Sequence, residues 1–371
     1  MKKRKIGKII LCVVLVILVA GGAVGYSLLP HSLNYDIDSI ENIGKTVNVV
    51  SKGSDSVTIK CESDAQFKVI AFTDLHLDGK NKTSYMTVDN LVKNIIKEQP
   101  DLVILGGDNV TSGFNKKRAN QFAEIFENLG VYWAGVLGNH EGDNKYSLTR
   151  PEMIEIFSSY EHCLMLEGPE DIWGDGNYYI NILNSDNSLR EMFVFTDTGD
   201  EVSEETKKEY GIPAEESPYD GVKTSQVDWY KKIIKTNEEK YGKFSSIAVM
   251  HIPLPQYEEA FSEVEAGKNE LLYGNKLENI CESGFDSGYF DAMKELKSTK
   301  AVFCGHDHLN DFGVEYKGIL LSYLQPSGYG SYTAASRLDY EEKDWLQGYT
   351  VFEILHDGTF SQTHYRNSAE G

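Results

Sequence analysis

The sequence predicts an α/β sandwich of two mixed sheets with helices outside, running from about residue 63 to 371 behind an N-terminal transmembrane helix. Three observations predict it. Between residues 67 and 138 apolar strands alternate with segments of helical apolar spacing. Several strands with few helices between them close the chain. One unbroken apolar run occupies the start.

That run follows a basic tip, MKKRKIGK, and holds no charged residue from Ile9 to Pro30, a stretch of 22 residues. Such a length crosses a bilayer as a helix. The basic flank predicts a cytoplasmic amino terminus and an exported remainder. A cleaved signal peptide is the competing reading, because AGGAVG offers small residues at a cut site. The run exceeds the ~7–15 apolar residues usual in a signal peptide, which favours the anchor.

The organisation expected is a tip and anchor at 1–30, a polar juxtamembrane segment with short strands at 31–65, and a main domain at 66–371. Residues 1–30 carry five Lys or Arg and no acid, which leaves residues 31–371 at −26. Such a surface repels nucleic-acid backbones, so no nucleic-acid binding is expected. An anionic substrate then needs something locally positive to hold it. Beyond Cys12 in the anchor, four scattered cysteines (61, 163, 281 and 304) show no disulfide framework or CxxC spacing.

KTVNVV and SVTIKC (45–50 and 56–61) read as short strands. FKVIAF (67–72) is a buried strand, YMTVDNLVKNIIKEQ (85–99) a helix, DLVILGG (101–107) a strand, KKRANQFAEIFENL (116–129) a helix and VYWAGVLG (131–138) a strand. Strand–helix alternation at this spacing argues for parallel βαβ units. NYYINIL and EMFVFTDTG (177–183 and 191–199) read as an adjacent strand pair. The acidic stretch 200–221 reads as a solvated loop and a candidate lid. A helix (224–242), the strand FSSIAVM (244–250), a short helix (288–298) and four strands, AVFCG, DFGVEY, GILLSYL and GYTVFEIL, complete the chain.

Metal-ligating residue types gather at the ends of these strands. AFTDLHLD supplies Asp74 and His76, LGGDN supplies Asp108, and VLGNHE supplies Asn139 and His140. MHIPLP supplies His251, and CGHDHLND supplies His306, Asp307 and His308. In α/β sheets the carboxyl ends of strands converge on one crevice. Extended backbone would aim the two rings of His306-Asp307-His308 the same way. Carboxylate oxygen plus imidazole suits Fe, Mn, Zn or Ni rather than Ca alone, and the absence of thiolate argues against a structural zinc knot. Two metals ~3.5–4 Å apart would clamp a phosphoryl group and generate hydroxide from a bridging water near neutral pH. The glycines beside these ligands (106, 107, 138 and 305) permit tight turns and close backbone approach.

Each motif alone has an ordinary reading as a turn or a satisfied loop histidine; together they would need five coincidences at strand ends. His31, His162, His356 and His364 have no such company. DTGD (197–200) reads as an ordinary turn that also has the position to approach the site. PSGYGSYTAAS (326–336) reads either as a wall of the substrate mouth or as a loop packed on a strand.

The ordered set Asp74-x-His76, Gly-Asp108, Gly-Asn139-His140-Glu141, His251 and Gly-His306-x-His308 resembles the calcineurin-like metallophosphoesterase superfamily over most of residues 66–325. SQVDWY, HIPLPQY and CGHDHLNDF resemble the branch related to purple acid phosphatases. The resemblance implies a metallophosphoesterase-type β-sandwich and a dinuclear centre of divalent or trivalent ions, with Fe, Mn or Zn expected. It implies that Asp74, His76 and His308 hold one metal, that Asn139, His251 and His306 hold the other, and that Asp108 bridges them. His140 would face the substrate and protonate the leaving oxygen or orient the phosphoryl group. Glu141 or Asp307 would set an imidazole tautomer. Thr111 stands where purple enzymes carry a tyrosine, so no charge-transfer colour is expected. The resemblance implies a phosphate-ester substrate, with monoesters favoured over nucleotide or lipid-headgroup diesters. An inactive metal-containing surface module is the rival of a different class. Oligomeric state is not specified by these residues.

Overall fold

The computed structural model describes residues 32–367 apart from 45, 80, 340 and 342–345. The expected anchor at residues 9–30 lies outside the described residues. Among those described, no helix is long and apolar enough to cross a membrane.

In chain order the elements are β1 (Val47–Lys52), β2 (Ser56–Cys61), β3 (Phe67–Phe72), α1 (Asn81–Glu98), β4 (Leu102–Leu105), α2 (Lys116–Leu129), β5 (Trp133–Gly135), α3 (Arg150–Ser158), β6 (Tyr178–Leu183) and β7 (Leu189–Phe195). They continue with α4 (Glu204–Tyr210), α5 (Thr224–Tyr241), β8 (Ser246–Val249), α6 (Gln256–Glu265), β9 (Leu271–Tyr273), α7 (Tyr289–Leu296) and β10 (Thr299–Cys304). Last come β11 (Gly313–Tyr316), β12 (Ile319–Tyr323), α8 (Ala334–Arg337), β13 (Gly348–Ile354) and β14 (Phe360–Arg366).

The strands form two mixed sheets. One runs β1-β2-β6-β7-β8-β10-β12-β11-β9, the other β14-β13-β3-β4-β5. In the smaller sheet β3, β4 and β5 are parallel and are joined through α1 and α2, as the strand–helix alternation predicts. In the larger sheet β7, β8, β10 and β12 are parallel. The inner faces meet in one core that includes Val69, Phe72, Trp133, Tyr178, Phe195 and Phe303, all at most 1% exposed. A second core covers the outer face of the large sheet beneath α5, α6 and α7 and includes Tyr230, Tyr257 and Met293.

Local chemistry fixes the helix ends that frame the site. Gly130 closes α2 in the left-handed conformation. Thr149 and Glu152 form a reciprocal capping box that starts α3 within eleven residues of Asn139.

Two expectations change. The segment 31–65 does not stand apart from the main domain: β2 pairs in parallel with β6, with Val57 opposite Ile180 and Ile59 opposite Ile182. Val57 and Ile59 are fully buried, so a boundary at residue 66 would cut through a continuous sheet and its core. The acidic stretch 200–221 is also not a free loop. It contains α4, and its end is pinned by Lys223, whose ammonium bonds Thr206 Oγ1 at 2.9 Å and Asp220. Lys223 lies over the rings of Trp173 and Phe285 at 4.6 and 4.4 Å.

Candidate metal centre

The loops leaving β3, β4, β5, β8 and β10 bring the predicted ligands together in one buried cluster. His76 Nε2 lies 3.1 Å from His308 Nε2, which is 3.4 Å from Asp74 Oδ1. His251 Nε2 lies 3.0 Å from Asn139 Oδ1, which is 2.9 Å from His306 Nδ1. Asp108 stands between the two groups, with Oδ2 3.4 Å from His76 Nε2 and 3.3 Å from His251 Nε2. Donor atoms of Asp74, His76, Asp108 and His308 all fall within 4.8 Å of one another. The partition into two groups sharing Asp108 is the one the resemblance implies.

The geometry differs from the sequence expectation at the His-Asp-His motif. His306 has φ 78°, in the left-handed region, so the backbone is not extended and the two rings diverge into opposite halves of the cluster. Asp74, His76 and Asp108 also have positive φ, at 55°, 45° and 53°. Such conformations cost non-glycine residues on the order of 1 kcal/mol each and gather at functional sites. Two glycines make the close approach possible. A Cβ on Gly107 (φ 102°) would lie 2.4 Å from His251 Nδ1, and one on Gly138 would meet Asp108 Oδ1 at 2.1 Å.

Hydrogen bonds assign the tautomers. His251 Nδ1 donates to the carbonyl of Gly106 at 2.8 Å, and His308 Nδ1 faces the carbonyl of Tyr332 at 3.3 Å. A carbonyl can only accept, so in each neutral ring the Nε2 lone pair points into the cluster. Asp108 Oδ1 accepts the His140 N–H at 2.8 Å, whereas Oδ2 is buried with no hydrogen-bond partner. Lone pairs thus converge with too few protons to join them, a cost that bound cations remove. The donor set therefore fits a metal pair.

Electrostatics agree. Burial works against ionisation of Asp108, yet His251 and His76 hold its carboxyl well below the usual range. Burial pushes His251 down, but the Asp108 carboxylate outweighs it and raises that ring to about 10. Burial lowers His76 to about 4 and His306 to about 3. Without metal, the cluster keeps its proton on the ring nearest Asp108.

His140 lies at the mouth, its side chain 44% exposed, with its ring 5.4 Å from that of His76. The hydrogen bond to Asp143 raises its pKa to about 9, against burial. An imidazolium is thus held beside the cluster.

Glu141 and Asp307 do not set an imidazole tautomer. Glu141 accepts backbone N–H groups from Asp108 at 3.1 Å, Asn109 at 2.5 Å and Gly138 at 2.7 Å, tying the two ligand loops together. Asp307 accepts Tyr323 Oη at 2.5 Å and the Cys281 N–H at 3.1 Å. Backbone carbonyls orient His251 and His308 instead. Arg150 braces the edge of the cluster and was not singled out in the sequence, which gives its long-range bonds no local mark. Arg150 bonds both Asp197 and the carbonyl of Gly138, next to Asn139. DTGD does approach the site, through Asp197. PSGYGSYTAAS supplies Tyr332, stacked on His308 with centroids 4.2 Å apart. His162 and His364 bond Glu127 and Thr350, away from the cluster.

The family described as calcineurin-like phosphoesterase matches residues 67–310. Probable inactive purple acid phosphatase 14 of Arabidopsis thaliana is 28% identical over 312 residues, covering 74% of this chain and 73% of that protein. Probable inactive purple acid phosphatase 29 of the same plant is 29% identical, covering 73% and 74%. Phosphatase DCR2 of Saccharomyces cerevisiae is 28% identical, covering 67% of this chain and 45% of its own length. Among solved structures, a dimetal phosphatase from Danio rerio is 16% identical, with a TM-score of 0.46 over 81% of this chain and 99% of that one.

Proposed function

This chain belongs to the calcineurin-like phosphoesterase family, and on that premise we propose that it is a membrane-tethered, extracytoplasmic, metal-dependent phosphoric ester hydrolase that favours phosphomonoesters. The observation that carries the reading is the buried Asp108 oxygen that accepts no hydrogen bond and stands between the two groups of ring and carbonyl donors. Asp74, His76 and His308 would hold one ion, Asn139, His251 and His306 the other, with Asp108 shared. Fe, Mn or Zn suits these donors. When bound, such a pair supplies positive charge for phosphoryl oxygens and acidifies a water.

The protein's own groups do the remainder. His140, held cationic by Asp143, donates a proton to the departing ester oxygen. Glu141 and Arg150 fix the loops that carry Asp108 and Asn139, so little reorganisation is needed during reaction. The basic tip and apolar run of residues 1–30 support tethering with the domain outside. Protease digestion of intact cells tests that placement: the domain should be cut without lysis.

The chemical test is hydrolysis of an aryl phosphomonoester and a matched diester by the purified chain loaded with Mn, Zn or Fe. Activity should vanish on metal stripping and in Asp108→Asn, with the monoester faster. Activity that survives both changes contradicts the reading. The word "inactive" in the plant relatives' names favours a second reading, a metal-containing surface module. A chain that binds two metals and hydrolyses nothing in a broad panel would establish it.

A further inference from the structure

We propose that Tyr219 is a substrate-binding residue, its phenol donating a hydrogen bond to a phosphoryl oxygen held at the metal centre. This rests on the phosphoesterase reading for its ligand. The ring of Tyr219 packs edge-on to the ligand histidine His306, with centroids 4.3 Å apart at 85°. Tyr219 is partly exposed, and among the described residues its hydroxyl has no hydrogen-bond partner. The charges that act on it include Asp307, Glu201 and the shared carboxylate of Asp108. A phenol donor thus stands beside the cluster, in the field of Asp108 and its neighbouring carboxylates, with its hydrogen uncommitted.

The segment that carries Tyr219 is fixed. Its backbone bridges to Glu201 on one side and Ser283 on the other. Gly284 donates its N–H to the Tyr219 carbonyl at 3.0 Å, and Ser283 donates to the carbonyl of Pro253, two residues after His251. Asp220 and Lys223 anchor the segment from behind in the aromatic box of Trp173, Tyr210 and Phe285. These bonds hold the phenol in place before a ligand arrives, so binding costs little ordering entropy. The chain therefore places an aromatic donor over the His306 half of the centre and the His140 imidazolium over the His76 half.

The test uses the full metal-loaded chain and inorganic phosphate, the smallest ligand with the phosphoryl oxygens in question. Tyr219→Phe keeps the ring against His306 and removes only the donor. Calorimetry should show phosphate Kd weakened about tenfold, the scale of one hydrogen bond to a charged acceptor, with metal content and Tm unchanged. In a hydrolysis assay KM for an aryl phosphate should rise in parallel. An unchanged phosphate Kd overturns the proposal, and so does loss of metal from Tyr219→Phe, which would give the hydroxyl a role in holding the ions. If the unmodified chain hydrolyses nothing but Tyr219→Phe still loses phosphate affinity, Tyr219 keeps its role and the hydrolase reading falls.

Discussion

His251 must give up a proton before it can ligate. Its Nδ1 hydrogen is committed to the carbonyl of Gly106, and the Asp108 carboxylate keeps Nε2 protonated up to about pH 10 in the metal-free protein. Metal uptake near pH 7 should therefore release protons, and apparent metal affinity should strengthen as pH rises toward 10. Calorimetry in buffers of different ionisation enthalpy measures this; uptake without proton release contradicts the assignment. His140 provides a second test. Its acid form is lost as pH rises through its raised pKa, so the activity should have an alkaline limb. Asp143→Asn removes the hydrogen bond that raises it and should move that limb to lower pH. An unmoved limb in a pH–kcat profile would take the proton-donor role from His140. The seven candidate ligands were legible in sequence because each follows an apolar strand. Arg150 and Tyr219 were not, because their partners lie on other loops; Glu141, Asp307 and the DTGD turn that holds Asp197 were singled out, but not the bonds they make, since no local pattern marks a long-range hydrogen bond. The divergence of His306 and His308 was hidden for another reason: the left-handed turn at His306 breaks the alternation of an extended chain.

At the scale of elements, legibility follows burial. FKVIAF and SVTIKC coincide with β3 and β2, and KKRANQFAEIFENL with α2, since their apolar periodicity faces a core. The sequence FSQTHYR of β14 was missed: it lies at a sheet edge with no fully buried residue, so nothing apolar alternates. VYWAGVLG reads as a longer strand than β5 because its last residues are apolar yet already turn toward Asn139. The start of α3 carries Arg150 into a buried pair with Asp197 while the same guanidinium bonds the Gly138 carbonyl. Arg150→Met removes the counter-charge of Asp197, which keeps only the N–H groups of Asp175 and Gly199, and should cost about 3 kcal/mol, read from urea unfolding, together with weaker metal binding through the loosened Asn139 loop. A loss below 1 kcal/mol would mean that the pair does not brace this loop.

At the scale of the whole molecule, the two sheets serve one end. Parallel strands β3, β4 and β5 of one sheet and β8 and β10 of the other deliver their carboxyl ends to a common crevice. Thr73 joins the sheets across it: it bridges to Pro326 and donates its N–H to Ser327 Oγ at 3.2 Å, while its hydroxyl donates to Asp74 Oδ2 at 2.7 Å. The strand–helix alternation made that architecture legible, but not the membership of β1 and β2 in the large sheet, because a polar segment with two short strands has no mark of its partner. Phosphoester chemistry at this crevice requires that seven donors from five loops hold two cations with Asp108 between them. Elemental analysis of the purified full chain beside Asp108→Asn tests this most directly. Two transition-metal ions per unmodified chain and loss of at least one from the variant are expected; a chain that binds none, or a variant that retains both, would rule out a pair of ions shared at Asp108.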